Sequence, residues 1–294
     1  MKIIKSPKRV YLISMGGFGN QLFQYASSLS FSKKIHSKLI VENYLGFFFD
    51  FKYKRKYELD TLDPNITKTR LFEKFLIFFE FIFFKIFKKN MFFHNIFANS
   101  FNHNLSDLKK NSKPVLLYGY FQNENNFKDF SLTNLKKIIN LKKNKLINNL
   151  KNKNKNKQFI GICMRMYEEV SAHDKHHHNV VSQEKYINAI KKLNLKNIII
   201  IVFITQKKLL KNSLLIKYFF KKKIQFKIID NEMINGNIKT LNSMIKMDHL
   251  IISNSSFYWW AAWLKKKISP KSKIFVINEK NFNKIKNASW ITIN

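Results

Sequence analysis

The chain has 294 residues, of which 45% are hydrophobic, so it can form one large domain or two of ordinary size around a substantial core. Its 54 Lys and Arg residues outnumber 18 Asp and Glu, and the resulting net charge of +36 is typical of proteins that meet nucleic acid, anionic membranes or anionic substrates. The single cysteine, Cys163, excludes a disulfide framework and a cysteine zinc site, and it is typical of a cytosolic protein.

The positive charge also has a compositional explanation. Lys, Asn, Ile and Phe are abundant while Gly and Pro are scarce, which is the pattern of A/T-rich codons. We favour this mutational bias as the main source of the charge, with attraction to a membrane as a secondary benefit. The first residues do not form a signal peptide, because their apolar run is short and leads into a glycine turn. No stretch approaches the roughly 20 apolar residues of a spanning helix.

The first predicted strand, residues 10–15, leads into a cluster of glycines at 16–19. Three of the seven glycines in the chain fall there, which indicates a backbone turn that side chains would obstruct. A helix over 22–34 follows. The turn either serves only to connect strand and helix, or it presents the amides of Asn20 and Gln21 to the hydroxyls of a sugar, and we favour the second interpretation.

Residues 71–89, LFEKFLIFFEFIFFKIFKK, are predicted to form an amphipathic, Phe-rich helix. The apolar face is wider than a core-facing helix needs. One interpretation is a core helix, and the other is an interfacial helix on an anionic bilayer, which the lysines favour. The polar residues fall on about half of the helix, an arc that Ile77, Phe81 and Phe84 also enter. These polar residues are Glu73, Lys74, Glu80, Lys85, Lys88 and Lys89.

Apolar strands alternate with amphipathic helices in the second half, and less clearly in the first. This alternation predicts an α/β fold with parallel sheets and ligand groups at the carboxyl ends of the strands. We expect an N-terminal domain over 1–150 and a C-terminal domain over 158–294, joined by a polar linker at about 145–157. The predicted strands of the second half lie at 158–164, 197–204, 226–229 and 249–252, and the helices between them at 183–193, 207–219 and 239–247.

The stretch 248–264, DHLIISNSSFYWWAAWL, predicts a strand, a polar turn and a helix with three tryptophans. One interpretation is a core helix with ordinary polar caps. The other is an anion site, because such a turn directs hydroxyl and free N–H groups at a ligand. The polar residues of the turn are Ser253, Asn254, Ser255 and Ser256.

Two of these segments resemble the hallmarks of the bacterial α-1,2-fucosyltransferases, glycosyltransferase family 11. Residues 16–26 resemble the G-G-x-G-N-Q-x-F-Q-Y-A motif, and 253–264 resemble S-N-S-S-F-x-W-W-x-A-W-L. Shorter likenesses occur at 57–59, 119–122 and 178–190. The resemblance covers nearly the whole chain and implies two Rossmann-like domains facing a cleft, the GT-B type, with the acceptor side in the first domain and the donor side in the second.

The resemblance implies a metal-independent, inverting transfer of L-fucose from GDP-β-L-fucose to the 2-hydroxyl of a galactose-like acceptor. Arg165 directly follows a strand, and its planar fork suits a pyrophosphate. It matches the first arginine of the motif H-x-R-R-x-D, which is implied to hold the β-phosphate. The alternative for this residue is a surface arginine.

The chain departs from that motif at three positions, where it has Cys163, Met166 and Glu168 in place of histidine, arginine and aspartate. It also has Thr205, Gln206 and Lys207 where relatives often carry Ser-Asp-Asp. The histidine and the aspartate that contact guanine in related fucosyltransferases are therefore absent at these positions, although the amide of Gln206 can pair with a base edge. Catalytic roles are assigned to Arg165, as the electrophile, and to Glu168, as the candidate base. The predicted donor-binding residues are Arg165, Gln206, Asp248, Ser253, Asn254, Ser255 and Ser256.

Gly17, Asn20, Gln21 and His178 are predicted to face the acceptor or the cleft. The other histidines beside His178 do not suggest a metal site, since adjacent loop histidines rarely share one ion. No two aspartates have the Asp-x-Asp spacing, so protein cations and dipoles must stabilise the leaving diphosphate. We therefore expect no metal and no cofactor.

Three alternatives remain open: the same fold with a different sugar-nucleotide donor, a basic nucleic-acid-binding protein, and a non-catalytic membrane-associated homologue. The lysines are spread along the chain and no nucleic-acid module is recognisable, so we expect no nucleic-acid partner. The expected partners are a sugar nucleotide, a glycan acceptor and an anionic membrane surface. The expected location is the cytoplasm, including the inner face of the cytoplasmic membrane.

Overall fold

The computed structural model describes residues 9–48, 50–51, 53–97, 105, 113–128, 145–165, 181–193, 195–205, 210–230, 233–234, 236–277, 287 and 289–293. The chain divides into two compact units, Met1–Lys137 and Ile138–Asn294. Each contains a parallel sheet with helices, so the predicted α/β class is confirmed.

The first unit contains, among its described residues, a four-stranded parallel sheet in the order β2-β1-β4-β3. Its central strand, β1, is apolar and buried along nearly its whole length, as is typical of parallel strands covered on both faces. The strands are β1 (Arg9–Ile13), β2 (Lys38–Glu42), β3 (His94–Phe97) and β4 (Val115–Tyr118). The helices are α1 (Phe18–Lys34), α2 (Leu45–Phe48) and α3 (Leu71–Phe87).

The second unit has, within the described ranges, a six-stranded parallel sheet in the order β10-β9-β8-β5-β6-β7. Its central strands are buried except at their first residues and are mostly apolar. The strands are β5 (Gln158–Cys163), β6 (Ile198–Phe203), β7 (Gln225–Ile229), β8 (His249–Ile252), β9 (Ile274–Ile277) and β10 (Ile291–Ile293). The helices are α4 (Lys145–Lys153), α5 (Gln183–Leu193), α6 (Leu214–Lys221), α7 (Asn237–Ile245) and α8 (Ser256–Ile268).

The predicted linker at about 145–157 is mostly helical instead, because α4 occupies its first nine residues. Apolar residues at 146, 147 and 150 recur at helical spacing, and Ile147 is fully buried. Lys246 Nζ donates to Asn148 Oδ1 at 2.7 Å, which fixes the helix to the second unit. The many Lys and Asn residues of the segment hid this apolar pattern.

Helix α3 confirms the predicted helix. It does not pack as a core helix, because its wide apolar face is not the side that faces the core. The side that faces the core is the half of the helix that contains both polar and apolar residues, and Ile77, Glu80 and Phe81 are buried there. Most residues of the wide apolar half are exposed to solvent, while Leu76 packs against the core. The helix ends at Phe87, and the next residue, Lys88, has a left-handed backbone with φ of 55°. Among the described residues no helix is both long and apolar enough to cross a bilayer.

Candidate functional site

Strands β5 and β8 lie side by side, and their last residues, Cys163 and Ile252, are paired in register. The segments that follow therefore leave the sheet together at its carboxyl edge, where α/β folds place their ligands. Ser253 Oγ donates to the carbonyl oxygen of Cys163 at 3.4 Å. Tyr258, in the first turn of α8, donates its hydroxyl to the carbonyl oxygen of Met164 at 3.0 Å. The serine turn is thus attached to the chain immediately before Arg165.

Arg165 is half-buried at this edge of the sheet. Its guanidinium forms no hydrogen bond or ion pair with any residue in the described part of the chain. A permanently charged fork without a protein partner, beside the start of a helix, is suited to bidentate contact with a phosphate group. The predicted position of Arg165 at a strand end is confirmed.

The four polar residues of the turn have different surroundings. Ser253 is fully buried and its hydroxyl donates a hydrogen bond to the Cys163 carbonyl oxygen, so this residue stabilises the turn and is not available to a ligand. Asn254, Ser255 and Ser256 are half-buried. Ser255 is the residue before α8, and its side chain does not cap the helix. The hydroxyls of Ser255 and Ser256 and the positive end of α8 are therefore groups of this turn that can meet an anion.

The tryptophans of α8 hold the turn on the core. Trp259, Trp260 and Trp263 are almost completely buried, and their rings contact one another with centroids 5.4 to 6.0 Å apart. Trp290 contacts the Trp259 ring at 5.7 Å. Such aromatic packing limits the movement of the first turn of α8, as a preorganised site requires.

Cys163 occupies the position of the motif's histidine, and it is fully buried. Burial raises the pKa of the Cys163 thiol well above its ordinary value, so the group stays neutral. A buried neutral thiol is a packing group and not a nucleophile or metal ligand.

Asp248, predicted to bind the donor, lies at the opposite edge of the sheet. Its carboxylate accepts from the Phe159 N–H at 2.7 Å and pairs with Lys151 Nζ at 2.8 Å. Because β8 separates Asp248 from Ser253, the two ends of the strand are roughly 16 Å apart. Asp248 therefore joins β8, β5 and α4, and the donor-binding prediction for it is wrong.

The glycine cluster of the first unit forms the start of α1, which begins at Phe18 and not at residue 22 as predicted. Gly16 has a left-handed φ of 74°, and a Cβ there would lie 3.1 Å from Asn20 Nδ2 and from the Tyr120 ring. Only glycine fits this turn without strain. Gly17 directly precedes the helix, and because it has no side chain it cannot cap the helix through a side-chain hydrogen bond.

Gln21, predicted to contact the acceptor, is fully buried and its amide is used within the protein. Its Nε2 donates to the carbonyl oxygens of Gly16 at 2.9 Å and Lys56 at 2.8 Å. Its Oε1 accepts from the Glu58 N–H at 2.9 Å. An amide with both hydrogens and its oxygen engaged has no role left for a sugar, so the acceptor prediction for Gln21 is wrong.

Asn20 remains a candidate, because it is half-buried and its Oδ1 accepts from Gln122 Nε2 at 2.8 Å. Sequence reasoning did not find this pair, nor the role of Gln24, whose buried amide bonds both backbone groups of Met15. The sequence does contain a signal for the role of Gln24. Gln21 and Gln24 are three positions apart, so both polar residues lie on the same, buried face of the helix.

Three predicted site residues, Glu168, His178 and Gln206, lie outside the described residues. Within the described ranges no group of three or more His, Cys, Asp or Glu side chains is arranged to hold a metal ion.

Comparisons with known proteins agree with the architecture. The sequence model of glycosyl transferase family 11 matches residues 8–294. A mutant of Arabidopsis thaliana FUT1, solved in complex with GDP, is similar in structure with a TM-score of 0.50 at 13% identity, over 94% of this chain and 71% of that one. No curated protein sequence matches the chain.

Two further solved structures show weaker likeness. Fucosyltransferase NodZ from Bradyrhizobium matches with a TM-score of 0.48 at 14% identity, over 86% of this chain and 92% of that one. The E. coli ADP-heptose LPS heptosyltransferase II matches with a TM-score of 0.47 at 9% identity, over 97% and 90%. The predicted pair of Rossmann-like units, the GT-B type, is confirmed as the fold class.

Proposed function

Because the chain belongs to glycosyl transferase family 11, the fucosyltransferase family that its two motifs resemble, we propose that it transfers L-fucose from GDP-β-L-fucose to the 2-hydroxyl of a galactose-like acceptor. The product carries an α-1,2 bond, so the anomeric configuration is inverted. The observation that carries this proposal is the Arg165 guanidinium, which has no partner among the described residues and lies beside the serine turn.

In the proposed reaction the acceptor hydroxyl attacks the fucose carbon from the face opposite the diphosphate. The bond to the diphosphate breaks, GDP leaves with the electron pair, and a base takes the hydroxyl proton. The transition state resembles an oxocarbenium ion, so negative charge grows on the departing diphosphate. Arg165, the hydroxyls of Ser255 and Ser256 and the positive end of α8 stabilise that charge. Glu168 is the proposed base.

The acceptor is proposed to meet Asn20 and Gly17 in the first unit, together with His178. The Asn20 amide is held through its oxygen by Gln122, so its remaining donors keep a fixed direction. Such an amide discriminates hydroxyl positions of a sugar better than a freely rotating one.

The donor nucleotide is the part of the proposal with a competing candidate. Cys163 replaces the motif's histidine with a buried, neutral thiol, which cannot contact a base as that histidine does. A family member with a different sugar-nucleotide donor is therefore the second candidate. Gln206 supports retention of a base contact by its amide, and Asn254 supports contact with the ribose or phosphate.

We propose that the reaction needs no metal, since the sequence has no Asp-x-Asp pair and offers cations and a helix end to the diphosphate. We also propose that the protein works inside a bacterial cell, at the inner face of the cytoplasmic membrane, in the synthesis of a surface polysaccharide or oligosaccharide. The Phe- and Lys-rich segment 71–89 supports that location.

A panel of sugar nucleotides tests the donor. The purified protein is heated with GDP-fucose, GDP-mannose, UDP-galactose or ADP-heptose, and the melting temperature and the release of nucleoside diphosphate are measured. We expect GDP-fucose to raise the melting temperature most and to be the only one consumed when a galactoside is added. Preference for another donor would support the second candidate.

A further inference from the structure

Helix α3 exposes a continuous apolar surface to solvent. With 3.6 residues per turn, six apolar side chains fall on one strip about 100° wide, and no polar residue of the helix lies within it. All six are exposed. This phenylalanine strip consists of Leu71, Phe72, Phe75, Phe79, Ile82 and Ile86.

Hydrogen bonds that the two acids of the helix accept fix this rotation. Glu73 accepts from the Tyr11 hydroxyl at 2.8 Å. Glu80 is fully buried, and it accepts from the N–H groups of Met91 at 3.0 Å and Phe92 at 2.6 Å. A rotation that buried the strip would place both carboxylates in solvent and leave these donors without their acceptor. The exposure of the strip is therefore built into the unit.

Neighbouring segments extend the apolar surface on both sides of the helix. The ring of Phe48 lies 5.5 Å from that of Tyr44, over which Lys74 of α3 is placed at 5.7 Å. On the other side, Met91 and Phe92 are held next to Glu80 and are exposed. An exposed apolar area of this extent, on a chain so rich in charge, marks a surface that is covered in use.

Cations border the strip and identify what covers it. Lys88 and Lys89 directly follow the helix, are exposed, and form no ion pair with any residue whose position is described. Lys85 lies over the Phe81 ring at 4.4 Å, and Lys113 donates to the Met91 carbonyl oxygen at 3.0 Å. A second copy of this chain, with its own net charge of +36, would bring the same cations against this border. An anionic surface with an apolar interior complements both parts.

We propose that the phenylalanine strip and its lysine border bind the surface of an anionic bilayer, with α3 lying parallel to the membrane plane. The apolar side chains enter the boundary between headgroups and acyl chains, and the lysines meet the lipid phosphates. The 17-residue helix is roughly 25 Å long, which is short of a bilayer core. This proposal deepens the membrane location proposed above by naming its contact surface, and it does not depend on the sugar transferred.

Vesicle flotation of the purified protein tests this proposal. Vesicles of phosphatidylcholine alone are compared with vesicles that also contain phosphatidylglycerol, and we expect binding to the second kind only. Phe75→Gln with Phe79→Gln should lower the partition coefficient about tenfold or more. The matched control is Phe220→Gln on α6, because Phe220 is 70% exposed, against 55% and 58% for Phe75 and Phe79, and lies in the other unit. It should bind as the wild type does.

A charge variant tests the lysine border without touching apolar contacts. Lys88→Gln with Lys89→Gln should weaken binding to the anionic vesicles on the order of tenfold. Lys221→Gln with Lys222→Gln makes the same change of net charge at exposed positions of the second unit, and it should have a much smaller effect.

Transfer to a soluble acceptor, measured on the same variants, separates this proposal from the proposed reaction. We expect unchanged transfer in the Phe75/Phe79 variant with lost vesicle binding. Absence of binding to anionic vesicles, binding that both test variants retain, or a concentration-dependent dimer that the Phe variant abolishes would each overturn the proposal. Loss of transfer with intact vesicle binding would contradict only the reaction.

Discussion

Arg165 and Gln21 are both polar residues of motif segments, and the structure gives them opposite surroundings. The Arg165 guanidinium has no hydrogen-bond partner among the described residues, while the Gln21 amide uses both hydrogens and its oxygen on backbone groups. A group that binds a ligand must keep its bonding capacity for that ligand. For single residues, the hydrogen-bonding capacity that is left unused within the protein distinguishes candidate functional residues from structural ones better than membership of a motif does.

Arg165→Lys separates charge from geometry. Lysine keeps the net charge but cannot make two parallel bonds to a diphosphate. Loss of one preorganised donor typically costs about 3 kcal/mol, or roughly a hundredfold in rate. We expect that loss in kcat, a smaller change in donor affinity and an unchanged melting temperature. Arg70→Lys, at an exposed position of the first unit, is the control. Near-normal turnover of Arg165→Lys would show that Arg165 acts only by attracting the anionic donor through its charge.

Gln21→Ala should act on stability. It leaves the carbonyls of Gly16 and Lys56 and the N–H of Glu58 without their partner, at a cost on the order of 3 kcal/mol. Denaturant unfolding should show this loss, and transfer and donor hydrolysis by the remaining folded protein should change equally. A selective loss of acceptor binding at wild-type stability would restore the ligand role. Asn20→Ala is the comparison, and there we expect the selective loss.

Cys163 gives a prediction for alkaline pH. The folded pKa is raised above the ordinary value of 9.0 by burial, so above about pH 9 the unfolded thiol ionises while the folded one does not. Ionisation then favours the unfolded state, and stability falls as pH rises. We expect the wild type to lose about 1.4 kcal/mol per pH unit more than Cys163→Ala does in this range, measured by urea unfolding. Parallel pH profiles would show that the thiol is accessible to ionisation in the folded state.

Elements were predictable where a single local pattern decided them. Strands such as β6, with six consecutive apolar residues, are unambiguous, and the serine turn between β8 and α8 follows from its composition. Helix α4 was missed because its few apolar residues are dispersed among Lys and Asn. The rotation of α3 about its axis was not predictable from the sequence. It depends on a hydrogen bond from Tyr11, which is far away along the chain, and on hydrogen bonds from residues 91–92, which lie outside the helix.

Asp248→Ala tests the junction of α4, β5 and β8. The Phe159 N–H loses its acceptor, so we expect a loss of about 1–3 kcal/mol in the free energy of unfolding. Donor affinity, measured by calorimetry with GDP, should not change, because the carboxylate lies at the amino edge of the sheet. Lys151→Gln should cost less, since the ion pair is partly solvated. Weaker GDP binding at wild-type stability would restore the donor role of Asp248.

In the molecule as a whole, the proposed phosphate site belongs to the second unit and the proposed membrane-binding surface to the first. The α/β class, the two motif segments and the family were accessible from sequence. For the candidate site, the place of Arg165 after β5 and of the serine turn before α8 followed from the sequence, whereas Gln21 and Asp248 were assigned to ligands although their hydrogen-bond partners lie within the fold. Hydrogen-bond partners distant in sequence cannot be inferred from one chain.

The proposed reaction forms an α-1,2 fucosyl bond without a metal ion. The most direct measurement is NMR of the product formed from GDP-β-L-fucose and a β-galactoside, in buffer with EDTA. We expect one new α-anomeric fucose signal correlated to carbon 2 of galactose, with stoichiometric release of GDP and an undiminished rate in EDTA. A β-anomer, a bond to another galactose carbon, or activity that returns only with added manganese or magnesium would contradict it.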